Sequence, residues 1–275
     1  MQSCWLSAFS WMMGGFDLPE PHVDAVTRDD RSLSPNFLLV LGVFAGAGLS
    51  LSLGWLPGMP LVFVFVVFGW LLGLCFHEGA HAWAAVRSGD DESRHRPHLA
   101  LDPVSFTDPL GTFLLPLVFL LGGFFVLPGA RVYVDLGAIS RRLDRSLVYL
   151  AGPAANFVFL VALAIFHASL SDDAAVGLRA SIVLMAWLQA SSIVINLLPV
   201  PSFDGFGAIE QWLPEAWRPD ALTRSIAGFT AIFLIFMIDP MAKAMIVLIY
   251  LVIAPFGFDL HDIRTGYSEL AFWAR

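Results

Sequence analysis

Six long apolar stretches decide what this chain can fold into. They lie at about 37–53, 60–86, 109–128, 147–168, 180–198 and 225–256. A helix needs about 20 mainly apolar residues to cross the hydrocarbon of a bilayer. In lipid such a segment must satisfy its own backbone hydrogen bonds, so each crossing stretch should be helical. We therefore predict an all-α polytopic protein with about six transmembrane helices in a lipid bilayer.

Composition and charge agree with a membrane protein, and they argue against a soluble domain and a nucleic-acid-binding protein. The chain is 57% hydrophobic and 14% charged, whereas soluble domains carry about 25% charged residues. A net charge of -8 argues against a nucleic-acid partner, which would require a basic face. Cys4 and Cys75 are too few for a disulfide framework.

The polar connections are short, so nearly the whole chain should belong to the membrane domain. We place this domain at 37–258, after a cytoplasmic or interfacial segment at 1–36 and before a short cytoplasmic tail at 259–275. A single helix over 225–256 would be about 48 Å long, more than the ~30 Å hydrocarbon core. We interpret it as two short spans that turn at Asp239-Pro240, with one kinked span as the alternative.

The second apolar stretch contains an H-E-x-x-H pattern, His77-Glu78-Gly79-Ala80-His81. Residues four apart lie on one helix face, so both imidazoles can hold one metal ion. Glu78 could then take a proton from a water molecule that zinc activates. A chance pattern is the alternative, but a charged group at mid-membrane costs at least ~2.5–3.5 kcal/mol without a partner or metal.

A catalytic zinc usually has three protein ligands, and Asp204 is the best candidate for the third. It follows Pro199 and Pro201, which end a long apolar helix. The alternative is an interfacial acid at an ordinary helix end. Glu210 and Asp108 are the backup ligands.

Two separated motifs carry a family resemblance. The first, His77-Glu78-x-x-His81, precedes Asn196-x-x-Pro199-x-Pro201-x-x-Asp204-Gly205, and this order resembles the site-2 protease family of intramembrane zinc metalloproteases. The resemblance spans about 60–210. Phe203 and Phe206 depart from it, because the family usually has leucine and glycine there.

Two shorter segments extend the resemblance. Gly152-Pro153-Ala154-Ala155-Asn156 is similar to the family's glycine-proline-asparagine helix, and Asp108-Pro109-Leu110-Gly111-Thr112 to an element of the bacterial branch without a PDZ domain. The resemblance implies zinc as the cofactor, a catalytic base, and two asparagines that hold substrate or stabilise an oxyanion. The implied zinc ligands are His77, His81 and Asp204, and the implied base is Glu78. The two asparagines are Asn156 and Asn196. A helix-to-helix hydrogen bond is the alternative role for each asparagine.

The implied function is hydrolysis of peptide bonds in or near the transmembrane segments of other membrane proteins, as in regulated intramembrane proteolysis. Three rivals stay open. The first is an ion transporter or channel that uses the same polar residues, and the second is a catalytically silent protein that binds membrane helices. The third is a zinc hydrolase that acts on lipid or prenylated protein. The sequence indicates no particular regulatory partner.

The metal hypothesis constrains the topology. If Asp204 meets the two histidines, the stretches at 60–86 and 180–198 end on the same side of the membrane, and the stretch at 147–168 begins on that side. The stretch at 109–128 must then enter and leave the membrane on that one side, so we predict a re-entrant hairpin there. The alternation after it predicts a short β-strand near 131–135 that could pair with an unwound substrate; a surface loop is the alternative.

The same topology gathers arginines on one face, while the loops near 54–59 and 169–178 contain no Lys or Arg. The positive-inside rule then places the protein in the cell membrane with the mouth of its active site towards the cytoplasm. His95 and His98 fall in a charged loop on that face, where we expect them to be solvated. The arginines are Arg87, Arg94, Arg96, Arg131, Arg141, Arg142, Arg145, Arg218 and Arg224.

Overall fold

Helices make up the regular structure of the described residues. The structure is a computed structural model that describes residues 32–55, 58–106, 134–170 and 176–270. No strand occurs in those ranges, so the all-α prediction is confirmed. The helices are α1 (Pro35–Leu53), α2 (Gly58–Arg87), α3 (Glu92–Leu99), α4 (Pro103–Phe106), α5 (Arg142–Ser169), α6 (Val176–Asn196), α7 (Asp204–Glu210), α8 (Ala221–Met237), α9 (Asp239–Ile253) and α10 (Leu260–Leu270).

Five of the described helices are long and apolar enough to cross a membrane, namely α1, α2, α5, α6 and α9 with its short extension to Phe256. A shorter apolar helix covers Ala221–Ile235. The hairpin predicted for 109–128 lies outside the described residues and stays a prediction. Of the predicted strand, only Val134 and Asp135 are described, and neither is in a strand.

The first helix shows how local sequence sets the ends of these spans. Ser34 caps α1 by accepting a hydrogen bond from the Phe37 amide at 3.0 Å, and Pro35 occupies the first turn, where its missing N–H is not needed. Gly54 ends the helix with φ +64°, a left-handed conformation that glycine adopts without strain.

Helix α6 forms the centre of the fold. The main apolar core surrounds it with side chains from α1, α2, α5, α8, α9 and α10. Small residues bring α2 close: a β-carbon on Gly73 would lie 2.4 Å from Gln189 Nε2. Close backbone approach through small residues is typical of packing between membrane helices, because lipid supplies little hydrophobic force between them.

Contacts between helix ends define two sides of the bundle. Gly177 at the start of α6 lies beside Val62 and Leu51, at the start of α2 and the end of α1. The opposite ends of α2 and α5 meet where His81 Nδ1 lies 2.7 Å from the Val148 carbonyl oxygen. We name the side with Gly177, Val62 and Leu51 the Leu53 side, and the side with His81 and Val148 the Arg87 side.

The last third of the chain differs from the predicted pair of returning spans. The helix does break at Ile238, whose backbone is extended. However, α8 begins on the Arg87 side, where the Arg224 carbonyl accepts a hydrogen bond from Ser202, and the residues that follow α9 lie near the Leu53 side. There the Phe258 ring lies 5.1 Å from the His167 ring near the end of α5. Residues 221–256 therefore cross the bundle once, in two helical pieces.

Helix α10 lies in the segment that the sequence analysis assigned to a cytoplasmic tail. Gly266 packs on the first half of α6, where an added β-carbon would lie 2.7 Å from the Ala180 carbonyl oxygen. This places α10 toward the Leu53 side, opposite the end of α6 that leads to Asp204. The predicted tail therefore does not lie on the same side of the bundle as Asp204, although the sequence analysis placed both on the cytoplasmic side.

A buried acid joins three segments on the Arg87 side. Asp90 Oδ2 lies 2.9 Å from His95 Nε2 and accepts from the Asp135 amide at 2.9 Å. His95 is only 1% exposed, so the expectation that it is solvated is wrong. Burial would raise the pKa of Asp90, but hydrogen bonds from His95 and from the Asp135 and Asp91 amides hold that pKa below its usual value. Burial, and then the charge of His95, lowers the pKa of His98 to about 4.

Candidate metal centre

Three side chains from two distant parts of the chain converge on the Arg87 side. His77 Nε2 lies 3.1 Å from His81 Nε2, and Asp204 Oδ2 lies 3.2 Å from the first and 3.4 Å from the second. The two histidines are each 6% exposed. Among the described residues these three form the group of His, Cys, Asp and Glu side chains that could hold a metal ion.

The spacing of the three atoms fits zinc. Ligands at about 2.0–2.2 Å from a tetrahedral zinc lie roughly 3.3–3.5 Å apart, close to the three distances measured. The Val148 carbonyl can only accept, so His81 donates to it from Nδ1. In the neutral imidazole, Nε2 is then the nitrogen that can bind a metal, and it faces Asp204. The donor set and its spacing therefore fit a zinc ion, with His77, His81 and Asp204 as the residues that would hold it.

Each element places its ligand through a simple local rule. On α2, the four-residue spacing puts the two imidazoles on one face. Asp204 starts α7 immediately after the proline-containing turn that ends α6. Gly205 makes this turn possible, because a β-carbon there would lie 2.3 Å from the Leu197 carbonyl oxygen. Glu78 lies within the same turn of α2 and is 2% exposed.

Gly152 of α5 is a residue whose role the sequence reasoning missed. A β-carbon at this position would lie 2.3 Å from His81 Nε2 and 2.6 Å from His77 Nε2. Both atoms belong to the candidate ligand set, so α5 forms the wall against which the imidazoles rest. Its position in a motif that resembles the family's was the available signal, but glycine is common in membrane helices and nothing local reveals the contact.

We expect Gly152→Ala to lose most of its zinc while keeping its fold. The new methyl group would displace the two ligand nitrogens, and a misplaced ligand weakens a metal site by at least about 10–100-fold. Zinc per chain, measured by elemental analysis of purified protein, checks this. Gly42→Ala is the matched control, since a β-carbon on that membrane-helix glycine would meet nothing within 4 Å. Full zinc occupancy in Gly152→Ala would contradict the described packing.

The two predicted asparagines are joined through a third residue. Asn156 Nδ2 donates to Ser192 Oγ at 2.7 Å, and Asn196 Nδ2 donates to the same oxygen at 3.3 Å. The bond from Asn156 links α5 to α6, which is the helix-to-helix hydrogen bond given above as the alternative role, whereas the bond from Asn196 lies within α6. Ser192 was missed, although it lies four residues before Asn196 and hence on the same face of α6.

Asn156 also has an acceptor that is not used. Its Oδ1 is buried and has no hydrogen-bond partner among the described residues. The residue lies one helical turn beyond Gly152 on the same face of α5, and therefore close to the ligand nitrogens. A buried amide oxygen without a donor is costly, so this atom is suited to receive an N–H group from a bound chain.

Of the two backup ligands, Glu210 does not join the centre. Glu210 is buried and pairs with Arg224 at the other end of α7. Asp108 lies outside the described residues.

Comparison with known proteins identifies the family. The chain is 34% identical over 249 residues to "Putative zinc metalloprotease Rip2" of Mycolicibacterium smegmatis, covering 88% of this chain and 94% of that protein. The chain belongs to the site-2 protease family of zinc metalloproteases. The protein of the same name from Mycobacterium tuberculosis strain Erdman is 40% identical over 208 residues, covering 73% of this chain and 79% of the relative.

A more distant relative has a related name. "Putative zinc metalloprotease YwhC" of Bacillus subtilis is 30% identical over 186 residues, covering 65% of this chain and 82% of that protein. No protein-family model and no solved structure matches the chain. The zinc in the relatives' names agrees with the donor set that the structure brings together.

Proposed function

We propose that this protein is a zinc metalloendopeptidase of the site-2 type, which hydrolyses peptide bonds in or near the transmembrane segments of other membrane proteins. The convergence of His77, His81 and Asp204 at one point, within a bundle of apolar helices, carries the proposal. A membrane-embedded site of this kind gives access to peptide bonds that soluble proteases do not reach.

The chain's own residues divide the chemistry between them. Bound zinc supplies Lewis acidity, which polarises a substrate carbonyl and brings the pKa of a water molecule towards neutrality. His77, His81 and Asp204 hold the metal, and Gly152 leaves room for it. Glu78 accepts the proton of the attacking water and passes it to the leaving amine.

The substrate has to be unwound before it is cut, because the carbonyl oxygens of a helix are engaged in its own hydrogen bonds. Segments with Gly, Pro or Asn in the span should unwind most easily. In this proposal, Asn156 Oδ1 accepts a backbone N–H from the unwound segment. Its lack of a hydrogen-bond partner among the described residues supports this role, and the bond to Ser192 would keep the amide in one orientation. Asn196 supports the same serine.

Arginine distribution supports a cytoplasmic mouth for the site. Arg87, Arg141, Arg142 and Arg145 lie at ends of α2 and α5 on the Arg87 side. Arg179 and Arg264 lie toward the Leu53 side, in α6 and α10, so the bias is strong but not complete. With the mouth in the cytoplasm, α10 belongs to the opposite face and is not a cytoplasmic tail.

A direct test uses the purified full-length protein and synthetic transmembrane peptides. One peptide carries Gly-Pro in mid-span and its partner carries Leu-Ala there. We expect about one zinc per chain, and mass-mapped cleavage near the Gly-Pro step that stops on chelation and returns with added zinc. Bound zinc without any cleavage would instead favour the silent helix binder, and zinc or proton flux into vesicles would favour the transporter.

A further inference from the structure

A small basic cavity lies on the Arg87 side, between the start of α5 and the end of α7. It has a volume of about 200 Å³, enough for several water molecules at ~30 Å³ each. Three arginines and one acid contribute to its lining, together with Gly137 and Gln211. The charged members are Arg145, Arg218, Arg224 and Glu210.

The charges of this cavity do not balance. Arg224 pairs with the buried carboxylate of Glu210. Among the described residues, neither Arg145 nor Arg218 has a carboxylate within the 4.0 Å of a salt bridge. Within the described part of the chain, two guanidinium groups beside one small cavity therefore have no acidic partner, and such an arrangement favours the binding of an anion.

Backbone carbonyls hold the three guanidinium groups in place. Arg145 Nε donates to the Ile139 carbonyl at 2.7 Å. Arg218 donates from Nε and Nη2 to the Leu213 carbonyl at 3.3 and 3.2 Å, and Arg224 Nε to the Pro219 carbonyl at 3.2 Å. Each guanidinium has five N–H donors, so these bonds orient the groups and leave further donors for a ligand.

We propose that this cavity binds a phosphate-bearing anion. Guanidinium groups bind phosphate oxygens through paired, charge-assisted hydrogen bonds, and the volume suits one such group. The ligand can be the headgroup of an anionic phospholipid or a free phosphate compound. This site is separate from the metal centre, and its existence does not depend on the proposed peptidase activity.

Surrounding residues favour the lipid headgroup. Trp212 and Trp217, which flank the cavity along the chain, are 56% and 73% exposed, and tryptophan is enriched at the level of the headgroups. Trp212 is fixed there by donating from Nε1 to Ser146 Oγ at 3.0 Å. An exposed Ile209 at 48% adds apolar surface on α7. The cavity would then open at the depth of the lipid phosphates.

Binding to the full-length protein in detergent tests this site. The probes are short-chain phosphatidylglycerol, short-chain phosphatidylcholine and inorganic phosphate, and native mass spectrometry measures the bound fraction. The cavity variant is Arg145→Gln with Arg218→Gln. Its matched control is Arg141→Gln with Arg142→Gln, which removes the same charge from exposed residues outside the cavity.

We expect the cavity variant to bind phosphatidylglycerol at least about tenfold more weakly, as expected for the loss of charged hydrogen bonds, and the control to bind like the wild type. Tight phosphatidylglycerol binding with weak phosphate binding identifies a lipid site. Equal binding of inorganic phosphate, lost in the same variant, supports the site with a free phosphate as its ligand.

Two results would overturn the proposal: no binding of either anion, or equal losses in the cavity and control variants. If the double variant is unstable on heating, Arg218→Gln alone serves, because Arg218 is exposed and its hydrogen bonds join only nearby residues. It should weaken phosphatidylglycerol binding by at least about threefold, and unchanged binding in that variant would also exclude the site.

Discussion

Glu78→Gln should abolish peptide-bond hydrolysis and leave zinc in place. Glutamine keeps the size of the side chain but cannot take a proton at neutral pH, so the water molecule would lose its base. Positioned general bases contribute about 10²–10⁴-fold to rate, and Glu78 serves both steps of proton transfer in the proposed mechanism. We expect a loss at the upper end of that range.

Cleavage of the Gly-Pro peptide and zinc per chain, measured on the same preparation, check this result. Glu215→Gln is the control, since that glutamate is exposed in a short 3₁₀ turn away from the metal centre, and its activity should equal the wild type. Wild-type cleavage by Glu78→Gln would show that another residue is the base. Loss of zinc together with cleavage would show that Glu78 instead supports the ligands.

The spans and the histidine pair are predictable because both depend on local sequence. Apolar length decides which stretches cross the membrane, and the spacing of His77 and His81 places them on one helix face whatever the rest of the fold. Asp204 is different, since its meeting with the histidines depends on how α6 packs against α2. Its position after two prolines at the end of an apolar helix and its place in a family-like motif indicated it, but neither reveals the contact with the histidines.

Residues that act across helices could not be predicted in this way. The closeness of Gly152 to two imidazoles is a property of the contact between α5 and α2, and a glycine in a membrane helix has no pattern that reveals such a contact. His95 was expected in solvent because its neighbours are charged, yet it is buried beside Asp90, which also accepts a hydrogen bond from the Asp135 amide. Local polarity predicts exposure poorly where a buried partner is available.

The end of the chain shows the same limit. A break at Asp239-Pro240 is evident from the sequence, because proline interrupts helical hydrogen bonding. Whether the chain then turns back or continues depends on the surfaces that receive it. Here Phe258 packs against His167 and Gly266 against Ala180, which draws α9 and α10 toward the Leu53 side.

Asp204→Ala should lose the metal itself. Removing the carboxylate leaves two imidazoles, and a catalytic zinc usually requires three protein ligands. Since altering a residue that only supports a ligand already weakens binding by about 10–100-fold, loss of a ligand should exceed that range. We expect little zinc after dialysis against a chelator, no cleavage, and partial recovery of zinc binding when excess metal is added.

Asp144→Ala is the matched control for this variant. Asp144 is also a partly exposed aspartate near a helix start, but it makes only a weak surface ion pair with Arg141, at 3.8 Å. Zinc and cleavage should therefore be unchanged. Glu78→Gln and Asp204→Ala then separate two roles, because the first should keep the metal without activity and the second should lose both. If Asp204→Ala kept one zinc per chain, the third ligand would lie elsewhere, and the convergence at the end of α6 would be an ion pair between a carboxylate and two histidines.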